Sequence, residues 1–190
     1  AKSLFCKKTD ILVSTVFNLV HKKFHPLTQT SESQSLSLVA IGGFGRGEMA
    51  PYSDIDLLFL SKKRQTGWAK SIVESVLYLL WDLKFKVGHS SRTISDCVQL
   101  GLDDLTIRTS MLEKRYLSGS VDLFEELETT LKKKVFSKKA SNFVEGKLSE
   151  RAKRHLKHAN ARYMLEPNIK EGKGGLRDLH TLYWISKYIY

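Results

Sequence analysis

Two short apolar runs, separated by a glycine turn and a pair of carboxylates, constrain this sequence more than any other feature. The runs cover residues 38–41 and 55–60, and turn residues bound both of them, as is typical of buried β-strands. Gly42 and Gly43 follow the first run directly, where the missing Cβ atoms let the backbone turn sharply and approach a ligand. If residues 46–49 begin a helical turn, the exposed N–H groups form a cradle for an anion such as phosphate.

Two better-known glycine loops do not fit the spacing. A dinucleotide-binding G-x-G-x-x-G pattern counted from Gly43 requires glycine at position 48, which is Glu48. A P-loop requires Gly-Lys-Ser/Thr, which this segment lacks. The turn therefore belongs to a different type of anion site.

The carboxylate pair, Asp54 and Asp56, starts the second predicted strand. Residues at i and i+2 of a strand project from the same face, about 7 Å apart at the backbone. Two carboxylates this close repel unless cations neutralise them, and oxygen-rich sites suit Mg²⁺. The alternative is that Ser53 and Asp54 cap a turn while Asp56 faces solvent. The glycine turn at the end of the preceding strand favours the metal site.

The rest of the chain predicts one sheet-containing region followed by a helical one. Residues 10–25 predict an opening helix, and residues 68–83 repeat their apolar positions at helical spacing. The alternation in residues 84–90 predicts a third strand with Phe85 and Val87 inward. Helices are then predicted over residues 96–100, 102–117, 121–136 and 140–165. We expect an α+β fold: residues 1–100 form a small mixed sheet packed with helices, and residues 101–190 form an all-helical region.

Composition narrows the class of protein further. Of the formal net charge of +11, residues 131–190 carry +10, from 15 Lys and Arg against 5 Asp and Glu. This excess predicts either an anion-attracting patch or a solvated helical face.

Only two cysteines occur, and no apolar run approaches the roughly 18 residues of a membrane span. We expect a cytoplasmic protein without a membrane partner. The chain is expected to be a piece of a longer polypeptide, truncated at its C-terminus.

The glycine turn followed by Ser53-Asp54-Ile55-Asp56 resembles the signature of the DNA polymerase beta nucleotidyltransferase superfamily. The longer run from Gly42 to Leu58 is similar to the bacterial protein-PII uridylyltransferase/uridylyl-removing enzymes. Three further segments agree with that family: residues 80–84, 87–93 and 166–178. The resemblance covers residues 38–190 and implies that the sheet-containing core is a nucleotidyltransferase core.

The resemblance implies transfer of UMP from UTP to a tyrosine hydroxyl of the nitrogen-regulatory protein PII, with Mg²⁺ as cofactor and pyrophosphate released. Seven residues of the extended motif take roles by position: Mg²⁺ ligands Asp54 and Asp56, triphosphate contacts Gly42 and Gly43, and site-shaping or phosphate-facing Arg46, Glu48 and Ser53. For Arg46, a structural ion pair with Glu48 or another acid is the alternative. Full-length relatives also carry a uridylyl-removing hydrolase domain and glutamine-sensing domains, so this chain is expected to be the transferase portion.

One departure from the superfamily concerns the third carboxylate that many members supply from a later strand. The third predicted strand contains no acid. His89 or Asp96 are the candidate substitutes, unless two carboxylates suffice. Each of two nearby residues has a structural alternative: His89 can form a structural hydrogen bond, and Arg92 can anchor the strand end instead of meeting phosphate.

Three other hypotheses remain at this point. The glycines and lysines of residues 170–178 either cover a nucleotide or form a structural loop between two helices, with Asp178 capping the second. The nucleotide could be ATP, as in adenylyl transfer. A different class of function is a basic nucleic-acid-binding module or a non-catalytic regulatory fragment, but aromatic residues are not interleaved with the basic cluster as stacking readers require.

Overall fold

The computed structural model describes residues 2–24, 36–63, 67–137, 139–157 and 168–190. The chain divides into two compact units, residues 1–133 and residues 134–190. The first unit contains the glycine turn and the carboxylate pair, and the second contains most of the basic third of the chain.

Helices and four strands alternate in the described part of the first unit. In chain order they are α1 (Lys2–Leu19), β1 (Leu36–Ala40), α2 (Gly42–Gly45), β2 (Ile55–Ser61), α3 (Gly67–Asp82), β3 (Val87–Thr93), α4 (Ile94–Asp103), α5 (Leu105–Leu112), β4 (Arg115–Gly119) and α6 (Val121–Leu131). A π-helical turn, Val20–Phe24, continues α1, and another, Lys132–Phe136, continues α6. The predicted α+β fold and the predicted strands at residues 38–41 and 55–60 are confirmed.

The four strands form one mixed sheet in the order β3-β2-β1-β4. β1 pairs antiparallel with β2 and with β4, while β2 pairs parallel with β3. In the parallel pair Asp56 is in register with Gly88, and Leu57 with His89. This register decides which β3 residues share a sheet face with the carboxylate pair, because strand residues alternate between faces.

The main core lies on the face of the sheet that α1 and α3 cover. Ile55, Leu57 and Phe59 of β2 point to this face, and all three are fully buried. The apolar stripe of α3 packs there with Ile72, Val76 and Leu80. Asp56 alternates with these residues, so its side chain projects from the opposite face of the sheet.

Two element predictions are wrong in part. The helix predicted over residues 102–117 is instead α5 followed by β4, because the open edge of β1 needs a partner for its backbone N–H and C=O groups. The third strand begins at Val87, later than predicted, because the turn that follows α3 continues to Lys84, which has a positive φ of 64°. Phe85 and Val87 do pack inward against the core, as predicted. The sheet therefore includes residues beyond the predicted boundary at residue 100.

The second unit contains α7 (Ala140–Lys157) and α8 (Leu176–Ile189). Phe143 of α7 stacks on Tyr188 of α8 with ring centroids 4.1 Å apart and planes 8° apart. Lys147 is buried beside them, its Nζ 5.0 Å from the Trp184 ring centroid and 2.8 Å from a carboxylate oxygen of Glu150. Across both units, the described helices are all too short or too polar to cross a bilayer.

Candidate active site

The glycine turn is itself the start of a short helix. Ile41 alone separates β1 from α2, which begins at Gly42, before the residues 46–49 that were considered as the start of a helical turn. Gly42 has a φ of +58°, a conformation that glycine adopts without strain. The Ile41 N–H donates to the Asp56 carbonyl oxygen at 3.1 Å, which fixes the turn beside the start of β2.

The side chain of Asp56 lies between two glycines. A Cβ atom on Gly42 would be 3.0 Å from Oδ2 of Asp56, and a Cβ atom on Gly88 would be 2.6 Å from Oδ1. Asp56 is only partly exposed, so the alternative in which it faces solvent is not what the structure shows. The structure thus brings together Gly42 and Asp56, two of the residues selected from the sequence.

Asp54 is exposed and directly precedes β2. It follows a turn in which the Ser53 N–H donates to the Ala50 carbonyl at 3.0 Å and the Ala50 N–H donates to Ser53 Oγ at 3.1 Å. Ser53 therefore has the turn-bracing role that was the alternative for it. Tyr52, in the same turn, is 95% exposed and has a φ of 67°.

Arg46 lies beside the glycine turn and is held by two carboxylates. Its Nε donates to Glu48 at 2.8 Å, and its Nη1 donates to the buried Glu113. Burial disfavours the charged guanidinium, but the hydrogen bonds with Glu48 and Glu113 outweigh burial and raise the pKa of Arg46. A Cβ atom on Gly43 would be 3.9 Å from Nη2 of Arg46. The ion pair that was the alternative for Arg46 is present, next to the turn.

The structure does not bring His89, Arg92 and Asp96 to Asp56. His89 is on the other face of the sheet, where its ring meets Trp81 edge-on at 6.5 Å. Arg92 shares a face with Gly88 but is four residues further along β3, about 13 Å away. Its cation acts instead on buried Cys97 of α4, where it opposes the rise in pKa that burial causes. Asp96 caps α4, its Oδ2 accepting from the Thr93 N–H at 2.9 Å.

Sequence reasoning did not select three residues that position the site. Gly88 contacts Asp56, and Glu113 binds Arg46. Arg115 of β4 forms an ion pair with Asp10 of α1 at 2.8 Å and donates to the carbonyl oxygens of Phe44 at 2.9 Å and Gly45 at 3.1 Å. Arg115 thus satisfies carbonyl groups at the C-terminal end of α2. Gly88 lies on β3, Glu113 follows α5 and Arg115 lies on β4, all far along the chain from the glycine turn, so no short sequence window shows that they meet there.

The residues at this site fit a magnesium ion. The described residues contain no group of three or more His, Cys, Asp or Glu side chains that could hold a metal. Two carboxylates are nevertheless sufficient for Mg²⁺, which commonly takes one or two protein carboxylates and fills its octahedral shell with water and substrate phosphates. Asp54 is exposed, and Asp56 has its carboxylate beside the glycine turn. Their carboxylate oxygens are hard donors of the kind that Mg²⁺ prefers.

In the second unit, residues 168–175 form a loop before α8 that is closed by backbone hydrogen bonds: the Gly172 N–H donates to the Asn168 carbonyl at 2.8 Å, and the Leu176 N–H donates to the Ile169 carbonyl at 2.9 Å. A Cβ atom on Gly172 would be 2.6 Å from the Asn168 carbonyl oxygen, and one on Gly175 would be 2.5 Å from the Ile169 carbonyl oxygen. Asp178 accepts from the Gly174 N–H at 2.8 Å and also contacts basic side chains of α7. Close packing thus explains Gly172 and Gly175, and a φ of +77° explains Gly174, as the structural alternative for this segment requires.

The fold and the site together define the class of protein. A glycine turn after β1 and an Asp-x-Asp pair at the start of the antiparallel neighbour β2 are the arrangement of a nucleotidyltransferase domain. A family model described as "Nucleotidyltransferase domain" matches residues 27–117, which contain β1, β2 and β3 and end within β4. A second model, described as "GlnD PII-uridylyltransferase", matches residues 142–190.

Two relatives match nearly the whole chain. One, from Ruegeria pomeroyi, is 54% identical over 182 residues, which cover 96% of this chain and 20% of the relative. Another, from Cereibacter sphaeroides, is 51% identical over 181 residues, covering 95% of this chain and 20% of the relative. Both are named "Bifunctional uridylyltransferase/uridylyl-removing enzyme". The chain belongs to this family of nucleotidyltransferases, as the sequence predicted, and it spans about a fifth of the length of these relatives.

Proposed function

We propose that this chain carries the Mg²⁺-dependent step that moves UMP from UTP to a tyrosine hydroxyl of the PII regulatory protein, in the cytoplasm, with release of pyrophosphate. The observation that carries the proposal is the closeness of the glycine turn to one acid of the pair: a Cβ atom on Gly42 would be 3.0 Å from Oδ2 of Asp56. A triphosphate on the turn would then lie beside the Asp56 carboxylate. The names of the relatives and the family description support uridylyl as the transferred group and PII as the acceptor.

Different residues would hold the metal ion and the phosphates. Asp54 and Asp56 would hold Mg²⁺, which when bound supplies charge stabilisation at the transferring phosphate. Gly42 and Gly43 allow the triphosphate to approach the backbone, because neither position has a Cβ atom in the way. Arg46 places a cation beside Gly43, and Glu113 and Glu48 hold its guanidinium in that place.

The test uses the full-length protein with PII, Mg²⁺ and each labelled nucleoside triphosphate in turn, followed by mass analysis of PII. Replacing Asp54→Asn or Asp56→Asn is expected to lower the rate of uridylyl transfer more than ~10²-fold, because charge stabilisation at the reacting phosphate is lost. Asp82→Asn is the matched control, since this exposed acid of the same unit ends α3. Its rate should equal that of the wild type.

Two other outcomes of this assay, and a separate DNA-binding measurement, distinguish the competing functions. Modification of PII by ATP and not by UTP would make the chain an adenylyltransferase. Equal rates for the wild type and both Asp variants would show that the two carboxylates do not take part in the transfer. Steeply salt-dependent DNA binding without any transfer would favour the basic nucleic-acid-binding module.

A further inference from the structure

Gly88 is the residue in register with Asp56 on the neighbouring parallel strand. A Cβ atom there would approach Oδ1 of Asp56 to 2.6 Å, closer than side-chain carbons come to oxygen without a shift. On the other side of the same carboxylate, a Cβ atom on Gly42 would lie 3.0 Å from Oδ2. Each oxygen of Asp56 therefore faces a position without a side chain.

The usual reasons for a glycine do not account for Gly88. Its φ is not positive, unlike that of Gly42, so its backbone does not require glycine. Gly88 is also exposed, so close packing inside a core does not require it. Glycine inside a strand weakens the strand and often marks a place where another group approaches closely. The group that approaches Gly88 is the Asp56 carboxylate.

A side chain at position 88 would collide with the Asp56 carboxylate and not with the backbone of the sheet. The atom it would meet is the end of the Asp56 side chain, which can rotate away, whereas no backbone atom lies within 4 Å of that Cβ position. A rotated Asp56 would lose its place beside the glycine turn. The steric conflict therefore falls on the position of one proposed metal-binding oxygen and not on the backbone.

We propose that Gly88 is a positioning residue that sets the place of the Asp56 carboxylate, and that it closes the β3 position beside Asp56 to the third carboxylate found in many superfamily members. This inference rests on the proposed metal-binding role of Asp56. It assigns a function to a residue of β3 that makes no chemical contact with substrate. It also makes the metal site of this domain a site of two carboxylates at the start of β2.

The experiment compares Gly88→Ala with Gly67→Ala in the full-length protein. Gly67 begins α3 in the same unit, and a Cβ atom there meets nothing within 4 Å. Three quantities are measured: the thermal midpoint, Mn²⁺ affinity by electron paramagnetic resonance without nucleotide, and the Mg²⁺ concentration that half-saturates transfer. For Gly88→Ala we expect a midpoint within a few degrees of wild type, tenfold or more weaker Mn²⁺ binding, and a raised half-saturating Mg²⁺ concentration. Gly67→Ala should change none of them.

Three outcomes would overturn this inference, and a fourth would refute the proposed function instead. Unchanged Mn²⁺ affinity and Mg²⁺ dependence in a folded Gly88→Ala protein would overturn the inference. So would a Gly88→Asp variant that binds Mn²⁺ more tightly and stays active, because position 88 would then accept a third carboxylate. If Gly88→Ala does not fold, adding Asp56→Ala should restore folding by removing the collision, and a failure to restore it overturns the inference. Asp56→Asn with normal metal binding would instead refute the proposed function.

Discussion

Arg46 forms an ion pair with Glu113, a carboxylate that is only 3% exposed and lies 67 residues further along the chain. The contact joins the end of α2 to the residue that follows α5. The backbone makes the same connection, because a Cβ atom on Gly45 would be 2.0 Å from the Glu113 carbonyl oxygen. The glycine turn is therefore held in place by a part of the chain that enters the fold after β3.

Replacing Glu113→Gln should destabilise the first unit by about 3 kcal/mol, because it leaves a mostly buried guanidinium with one charged partner fewer. Urea unfolding at pH 7 measures this change in the free energy of unfolding. Glu48→Gln is the matched control: Glu48 pairs with the same arginine but is 52% exposed, so its loss should cost less than about 1 kcal/mol. Equal losses in the two variants would show that the burial of Glu113 does not strengthen the pair.

Lys84→Gly should stabilise the protein. Lys84 follows the end of α3 with a φ of 64°, and the N–H groups of Lys84 and Phe85 donate to the Trp81 and Leu80 carbonyls at 2.8 and 3.1 Å, a helix end that favours glycine. Relief of left-handed strain, about 1–2 kcal/mol, exceeds the roughly 0.5–1 kcal/mol entropic cost of glycine. A gain of up to about 1 kcal/mol in the free energy of unfolding is expected.

The control for this prediction lies two residues away. Lys86 is equally exposed but has no positive φ, so Lys86→Gly relieves no strain and should destabilise by roughly 0.5 kcal/mol. Thermal and urea unfolding of both variants give the sign directly. A loss of stability in both would mean that the left-handed conformation of Lys84 carries no measurable strain.

Asp178 should give the second unit a pH-dependent stability. Burial of this carboxyl opposes ionisation, but hydrogen bonds from the Gly174 N–H, His155 and Arg154 outweigh burial and hold the pKa of Asp178 well below its usual range. A lowered pKa contributes stability above the unfolded value of about 3.9, and that contribution is lost as the pH falls toward the folded value. Asp178→Asn should therefore cost about 1–3 kcal/mol at pH 7 and progressively less below pH 4.

Hydrogen exchange followed by mass spectrometry measures this effect on α7 and α8 separately from the first unit. The difference in protection between wild type and Asp178→Asn should shrink as the pH is lowered from 7 to 3. Glu145→Gln, at an exposed position of α7, controls for general removal of negative charge. A difference that is constant over this pH range would contradict the lowered pKa.

Local signals in the sequence were enough to predict β1, β2 and α3 and to select the glycine turn and the acidic pair. The apolar runs of β1 and β2, the stripe of α3 and the order of glycines and acids all lie within short windows. β4 was missed because its five residues follow a helix closely, and its partner β1 lies more than 70 residues earlier. No short window contains the information that β1 has an open edge.

The side chains around Asp56 show the same limit. Gly88 lies beside the carboxylate only because β2 and β3 are parallel with one particular register. A shift of that register by one residue would place His89 beside Asp56 and Gly88 on the face with Trp81. Register depends on the packing of α3 and on the late start of β3 at Val87, so the sequence named His89 as a candidate and did not select Gly88.

Cys97 should be almost inert in the native protein. Its thiol is fully buried on α4, and burial raises the pKa of Cys97 to about 12, with Arg92 opposing and Asp96 adding to the rise. Since the thiolate is the reactive form, its labelling rate in the native state should climb about tenfold per pH unit from pH 8 to 11, whereas the unfolded thiol levels off above about pH 9. Iodoacetamide labelling with peptide mass spectrometry measures both rates. Rapid labelling of native Cys97 at pH 8, at the rate seen in guanidinium chloride, would contradict the burial of this thiol.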